Sequence, residues 1–123
     1  MLSPNTPAEG RDRFAVVEDR LEGIPFAKAH AWRNQEMEPT LIILHDTAGQ
    51  LRLRSSVEWF LSPECTTSAH LVVERDGSVT QLVPFNKIAF HAGQSNYQGR
   101  TNCNGFSIGI EIVNPGHEFG YRP

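Results

Sequence analysis

The chain has 123 residues, 39% of them hydrophobic and 20% charged, with 10 Gly and 8 Pro; this fits one domain of roughly 100 to 150 residues and a composition that folds. Eleven Lys+Arg against 14 Asp+Glu give a formal net charge of −3, and without a basic run this argues against a nucleic-acid partner. The longest apolar runs, residues 41–44 and 71–73, fall far short of the roughly 20 residues that span a bilayer, so no membrane crossing is expected.

Residues 1–13, rich in Pro, Glu, Arg and Asp, read as a flexible leader, and residues 14–123 as a single domain. The N-terminus has neither a basic n-region nor an apolar h-region, so no secretory signal is visible and a cytoplasmic address is expected. Residues 14–39 show no sustained period, with Pro25 and Pro39 as punctuation, and are expected to wrap the core as loop and short turns. Residues 40–45, Thr-Leu-Ile-Ile-Leu-His, form a continuous apolar run of the kind buried on both faces of a central sheet. A capping box of Ser55 and Glu58 predicts a helix with Val57, Phe60 and Leu61 as its apolar stripe, stopped by Pro63 and packed on the preceding strand.

Two β-rich runs, residues 68–74 and 78–83, flank Arg75-Asp76-Gly77, and Asp-Gly predicts an antiparallel hairpin. Residues 90–105 turn polar and Gly-rich, too long for a tight turn and therefore a candidate functional loop. The last strand, residues 106–113, ends at Asn114-Pro115-Gly116. Cys65 and Cys103 lack CxxC spacing and read as free thiols.

His45 closes the most apolar strand, and in α/β sheets ligands gather beyond the strand ends. One imidazole closes no coordination sphere, so by itself His45 fits a structural hydrogen bond as well as a metal ligand. Strand alternation groups Ser107, Gly109, Glu111 and Val113 on one face. Two small neighbours leave room beside Glu111, and a carboxylate there costs stability unless it is paired or used; the alternative is an edge-strand Glu facing solvent. His91 opens the polar loop and either reaches the same crevice or bonds a turn. His70, His30 and His117 read as structural, and Asp46 as a turn or cap residue.

Four segments now stand in one order: Leu44-His45-Asp46-Thr47-Ala48, residues 68–77 (SAHLVVERDG), Phe90-His91-Ala92-Gly93, and residues 106–111 (FSIGIE). Together they closely resemble the type 2 N-acetylmuramoyl-L-alanine amidases, a zinc family that includes bacterial recycling amidases, phage endolysins and animal peptidoglycan recognition proteins. The resemblance covers residues 40–122, and the ending 112–121 looks most like the recycling branch. It implies an α/β fold with a central mixed β-sheet flanked by helices. It also implies hydrolysis of the amide between N-acetylmuramic acid and L-alanine, with peptidoglycan fragments as partners.

Carried over by motif, the resemblance makes His45 the first zinc ligand and Glu111 the catalytic acid. It puts His91 and Gly93 in the substrate groove and Asn104 among the substrate contacts. Ala69 stands where some relatives carry a tyrosine before the His, so the proton chemistry falls to Glu111. The family's second His and its Asp or Cys follow a long helix that would begin about where this chain stops, at Pro123. Neither His91 nor His117 matches those ligand positions. The expectation is therefore a domain missing its C-terminal helix and metal-ligand segment, a weak zinc binder as it stands. The alternatives are a non-catalytic muropeptide-binding module and an inactive fragment with an exposed apolar sheet face.

Overall fold

A computed structural model describes residues 14–47 and 52–115; the expected leader, His117 and the chain after Pro115 lie outside the described residues. The centre is a four-stranded mixed sheet in the order β4 (Leu41–Asp46), β10 (Ser107–Ile112), β5 (Leu71–Val73) and β6 (Val79–Gln81). β10 runs parallel to both of its neighbours, and β5 pairs antiparallel with β6. The β5–β6 connection is the expected hairpin. Gly77 N–H donates to the Glu74 carbonyl at 3.0 Å, and Gly77 takes φ +89°, a left-handed position that a side chain would strain.

Two expectations for the first half of the chain are corrected. Residues 14–39 are not simply loop. They form a hairpin of β1 (Val16–Val17) and β2 (Arg20–Leu21), and β3 (Trp32–Glu36), which pairs antiparallel with β7 (Lys87–Ala89). The hairpin turn is Glu18-Asp19, both at positive φ, with neither the Gly nor the Asn that signals such a turn. Buried Gln81 holds it: Leu21 N–H donates to Gln81 Oε1 at 2.8 Å, and Gln81 Nε2 donates to the Asp19 and Val83 carbonyls.

The second correction concerns β4, which is an edge strand and not a centre strand. Among the described strands it pairs only with β10, its side chains alternate between half-buried and exposed, and Ile42 and Leu44 are each 63% exposed. Glu111, conversely, stands on the central strand, which disposes of the edge-strand alternative. Ile42 and Leu44 lie in register with Ile108 and Ile110. Met37, Ile88, Phe85 and Phe90 cover the β10 part of that face, while Ile42, Leu44 and Ile112 remain open.

Helix α1 (Ser55–Leu61) is capped differently from the expected box. Its N-cap is Arg54 in the left-handed region, and Glu58 pairs with Arg52 at 2.8 Å instead of closing onto Ser55. The helix ends at Ser62, before Pro63, as predicted. It buries Val57 and Phe60 against Cys65, Ala69, Val72, Leu82, Val83 and Val113, so it packs over β5 and the segment after β6 rather than on β4. Both cysteines are buried and free. Among the described residues, no helix is long and apolar enough to cross a membrane.

The two apolar regions predict opposite mutational outcomes. Leu82→Ala, at a fully buried position, should lower unfolding free energy by about 2–5 kcal/mol. Ile42→Ser should change it by less than about 0.5 kcal/mol. Urea denaturation of both variants checks the assignment of core and open face.

Candidate functional site

β4 and β10 set the geometry. Their parallel register puts His45 opposite Glu111, and β5 adds Val72 on the other side of Glu111. In-register residues of parallel strands project to the same face, so imidazole and carboxyl stand side by side. α1 packs over Val72 on that face. Between helix and sheet lies a cleft of about 680 Å³, lined by Glu111, His91, Trp59, Arg52, Thr67 and Ser68 among others.

His91 joins the pair because Gly109 lets it. A Cβ at Gly109 would sit 2.4 Å from His91 Cγ and 2.6 Å from its Nδ1, so the ring rests directly on the β10 backbone. There His91 Nδ1 is 3.1 Å from His45 Nε2, and His91 Nε2 is 3.1 Å from Ser107 Oγ. The main chain leading into the loop is clamped by Asn104, whose Oδ1 accepts from His91 N–H at 3.0 Å and Ala92 N–H at 2.8 Å.

The loop itself holds a small hairpin, β8 (Asn96–Tyr97) with β9 (Arg100–Thr101). It turns at Gln98-Gly99, both at positive φ, and leads into a 3-10 turn at Cys103–Gly105. Gly93, at φ +56°, is exposed and lies outside the cleft lining, as does Asn104. Asp46 is the last residue of β4 rather than a turn residue.

His70 is structural, as its sequence context suggested. It is fully buried, its Nδ1 accepts from Gly109 N–H at 3.1 Å, and its Nε2 is 2.8 Å from the Lys87 carbonyl. Since that carbonyl can only accept, the proton sits on Nε2 and the ring is neutral. Ser107 and Trp59 were not singled out in the sequence. For Ser107 the signal was available, because alternation already put it on the Glu111 face. Trp59 gave none, since it lies outside the apolar stripe of Val57, Phe60 and Leu61.

A structural or catalytic zinc site needs three or four protein ligands. Among the described residues, no group of three His, Cys, Asp or Glu side chains converges on a point that would hold a metal ion. The described residues therefore do not fit the ion by themselves.

The electrostatics favour neutral groups. Burial, with the nearby Asp46 carboxylate adding to it, pushes the Glu111 carboxyl up to about 7. Burial first, then the neighbouring His45 and His70, push His91 down to about 4. Burial also lowers His45, against the opposing pull of Asp46. A carboxyl poised near neutrality beside a cleft is suited to giving and taking a proton.

Linkage gives the two shifts opposite signs. Glu111 binds its proton more tightly folded than unfolded, so its contribution is complete below about pH 4 and fades as pH rises through about 7. The lowered His91 contributes above about pH 6.5 and loses that contribution as pH falls through about 4. Glu111→Gln removes the first effect alone. The variant should gain stability over the parent as pH rises from about 5 to about 8, measured by urea midpoints; a constant difference would contradict the raised Glu111. Separately, Gly109→Ala should cost about 1–3 kcal/mol and abolish the His45–His91 contact, read from ring-proton nuclear Overhauser effects.

The sequence pattern of the N-acetylmuramoyl-L-alanine amidase family matches residues 35–123. The 1,6-anhydro-N-acetylmuramyl-L-alanine amidase AmpD of Enterobacter cloacae is 36% identical over 99 residues, covering 68% of this chain and 53% of that protein. AmpD of Salmonella typhimurium is 64% identical over 45 residues, 37% of this chain and 24% of that protein. A crystal structure of AmpD superposes with a TM-score of 0.66 at 31% identity, covering 80% of this chain and 65% of that one. AmiD of E. coli, solved with anhydro-N-acetylmuramic acid-L-Ala-D-gamma-Glu-L-Lys, gives 0.56 at 31% identity over 68% of this chain and 34% of that one. The chain thus spans from about a quarter to about half of the curated AmpD relatives cited. Family pattern and fold likeness agree: the chain belongs to the N-acetylmuramoyl-L-alanine amidase family.

Proposed function

We propose that this chain carries the sheet, cleft and catalytic carboxyl of a zinc-dependent amidase. The amidase hydrolyses the bond between N-acetylmuramic acid and L-alanine in muropeptides, in cytoplasmic cell-wall recycling. The observation that carries the reading is His45 and Glu111 in register on one face beside a cleft, with the Glu111 carboxyl near 7. The likeness to AmpD, and to AmiD solved with an anhydro-muropeptide, supports the substrate class. His45 would be one ligand of the zinc.

The chain's own groups then divide the work. The cleft wall of Trp59, Thr67, Ser68 and His91 receives the muropeptide, and Gly93, outside that lining, meets the part of the substrate that extends past it. Asn104 spends its Oδ1 on the loop main chain, which leaves its amide NH2 to meet the substrate. Glu111, its carboxyl raised to about 7, takes a proton from the attacking water and delivers it to the departing L-alanine amine. Exclusion of water around it keeps the carboxyl high enough to serve in both directions.

A non-catalytic muropeptide binder is the second reading, favoured by the lack of a three-donor group among the described residues. One experiment separates the two. With zinc supplied, chelator-sensitive release of the L-alanine-led peptide from an anhydro-muropeptide is measured for the protein and for Glu111→Gln. The variant should lose about 10²–10⁴-fold in kcat with KM little changed. Muropeptide binding without turnover, unchanged in Glu111→Gln, would instead establish the binder.

A further inference from the structure

The hydrogen bonds around His91 form a directed chain whose sense is fixed at one end. Ser107 Oγ lies 2.6 Å from the Cys103 carbonyl, and a carbonyl can only accept. The single hydroxyl proton of Ser107 is therefore spent on Cys103, and its oxygen faces His91 Nε2 as an acceptor. His91 Nε2 must then carry a proton, and in the neutral ring Nδ1 holds the lone pair. Facing that lone pair at 3.1 Å is His45 Nε2, which accordingly carries the proton of His45. The remaining nitrogen, His45 Nδ1, takes no hydrogen bond among the described residues and holds the free lone pair.

Ser107 is itself held in place by burial and by its hydrogen bond to Cys103. It is fully buried, it opens the central strand β10, and its carbonyl partner belongs to a 3-10 turn pinned by the Ser95 hydroxyl, which accepts from Cys103 N–H at 2.9 Å. Asn104, in the same turn, fixes the His91 main chain. Both the ring and the backbone of His91 are thus set by one short turn.

We propose that Ser107 is a positioning residue: it imposes the Nε2–H tautomer on His91 and, through His91, determines which nitrogen of His45 is left with its lone pair unengaged. Its bearing on turnover rests on the amidase reading, whereas the tautomer does not. Replacing the hydroxyl removes the acceptor for His91 Nε2–H, and nothing then distinguishes the two neutral forms except the contact to His45.

The test is long-range ¹H–¹⁵N correlation spectroscopy of the full chain, labelled at histidine, near neutral pH. His70 is an internal control, because Gly109 and Lys87 fix its Nε2–H form independently. In the parent, His91 should give a single Nε2–H pattern. Ser107→Ala should shift the His91 tautomer ratio by about tenfold, the worth of one hydrogen bond, and leave His70 unchanged. Ser107→Thr, which restores the hydroxyl, should restore the parent pattern. A parent His91 protonated on Nδ1 overturns the proposal without any variant, as does a Ser107→Ala spectrum with the parent ratio. In the muropeptide assay, Ser107→Ala should lower kcat about tenfold with KM unchanged, and Ser107→Thr should recover it. A tautomer shift with no turnover in any form, parent included, supports the role of Ser107 and counts against the amidase reading.

Discussion

The close seat of the His91 ring on the backbone of Gly109 is the constraint around which the site is organised. Protein interiors are packed densely enough that a single methyl group is felt, and here the missing Cβ is what makes room. Once the ring is seated, it meets His45 on β4, Ser107 on β10 and, at 6.0 Å between centroids, His70 before β5. A strand with side chains at every position would keep these groups apart. The alternation of small residues and one carboxyl along β10 is thus the structural cause of the cluster.

The same packing explains the electrostatics. Three imidazoles and one carboxyl share a region partly shielded from water, and the Asp46 carboxylate at the end of β4 acts on His45 and Glu111. Desolvation disfavours the charged form of every member, so the histidines are held neutral and the carboxyl protonates near neutrality. Neutral rings can form a directed hydrogen-bond chain, since each has one donor and one acceptor. A charged His91 would have two donors and no acceptor for His45. Burial and bond direction are therefore two expressions of one arrangement.

Much of this was legible in the sequence, and the exceptions have physical causes. Alternation along residues 106–113 placed Glu111 on the face of Ser107 and Gly109, and Asp76-Gly77 announced the β5–β6 hairpin, because both signals are local. The apolar run at residues 41–44 was misassigned to the sheet centre, since hydrophobicity reports that a strand has an apolar surface and not whether anything covers it. The β1–β2 hairpin was invisible because Glu18-Asp19 adopt left-handed backbone under tertiary bonds to Gln81, some sixty residues away. The Arg54 cap was missed for a local reason: Ser55 and Glu58 have the spacing of a capping box, but Arg52 competes for Glu58.

The open flank of β4 has a consequence for how the chain behaves in solution. Beyond β10 its outer backbone groups are unpaired among the described strands, and Ile42 and Leu44 stand beside them with 63% of their surface exposed. Natural edge strands commonly carry a lysine, a proline or a bulge that discourages pairing with another chain, and residues 41–44 carry none of these. The strand thus offers, among the described residues, both the template and the adhesive for a second β-strand.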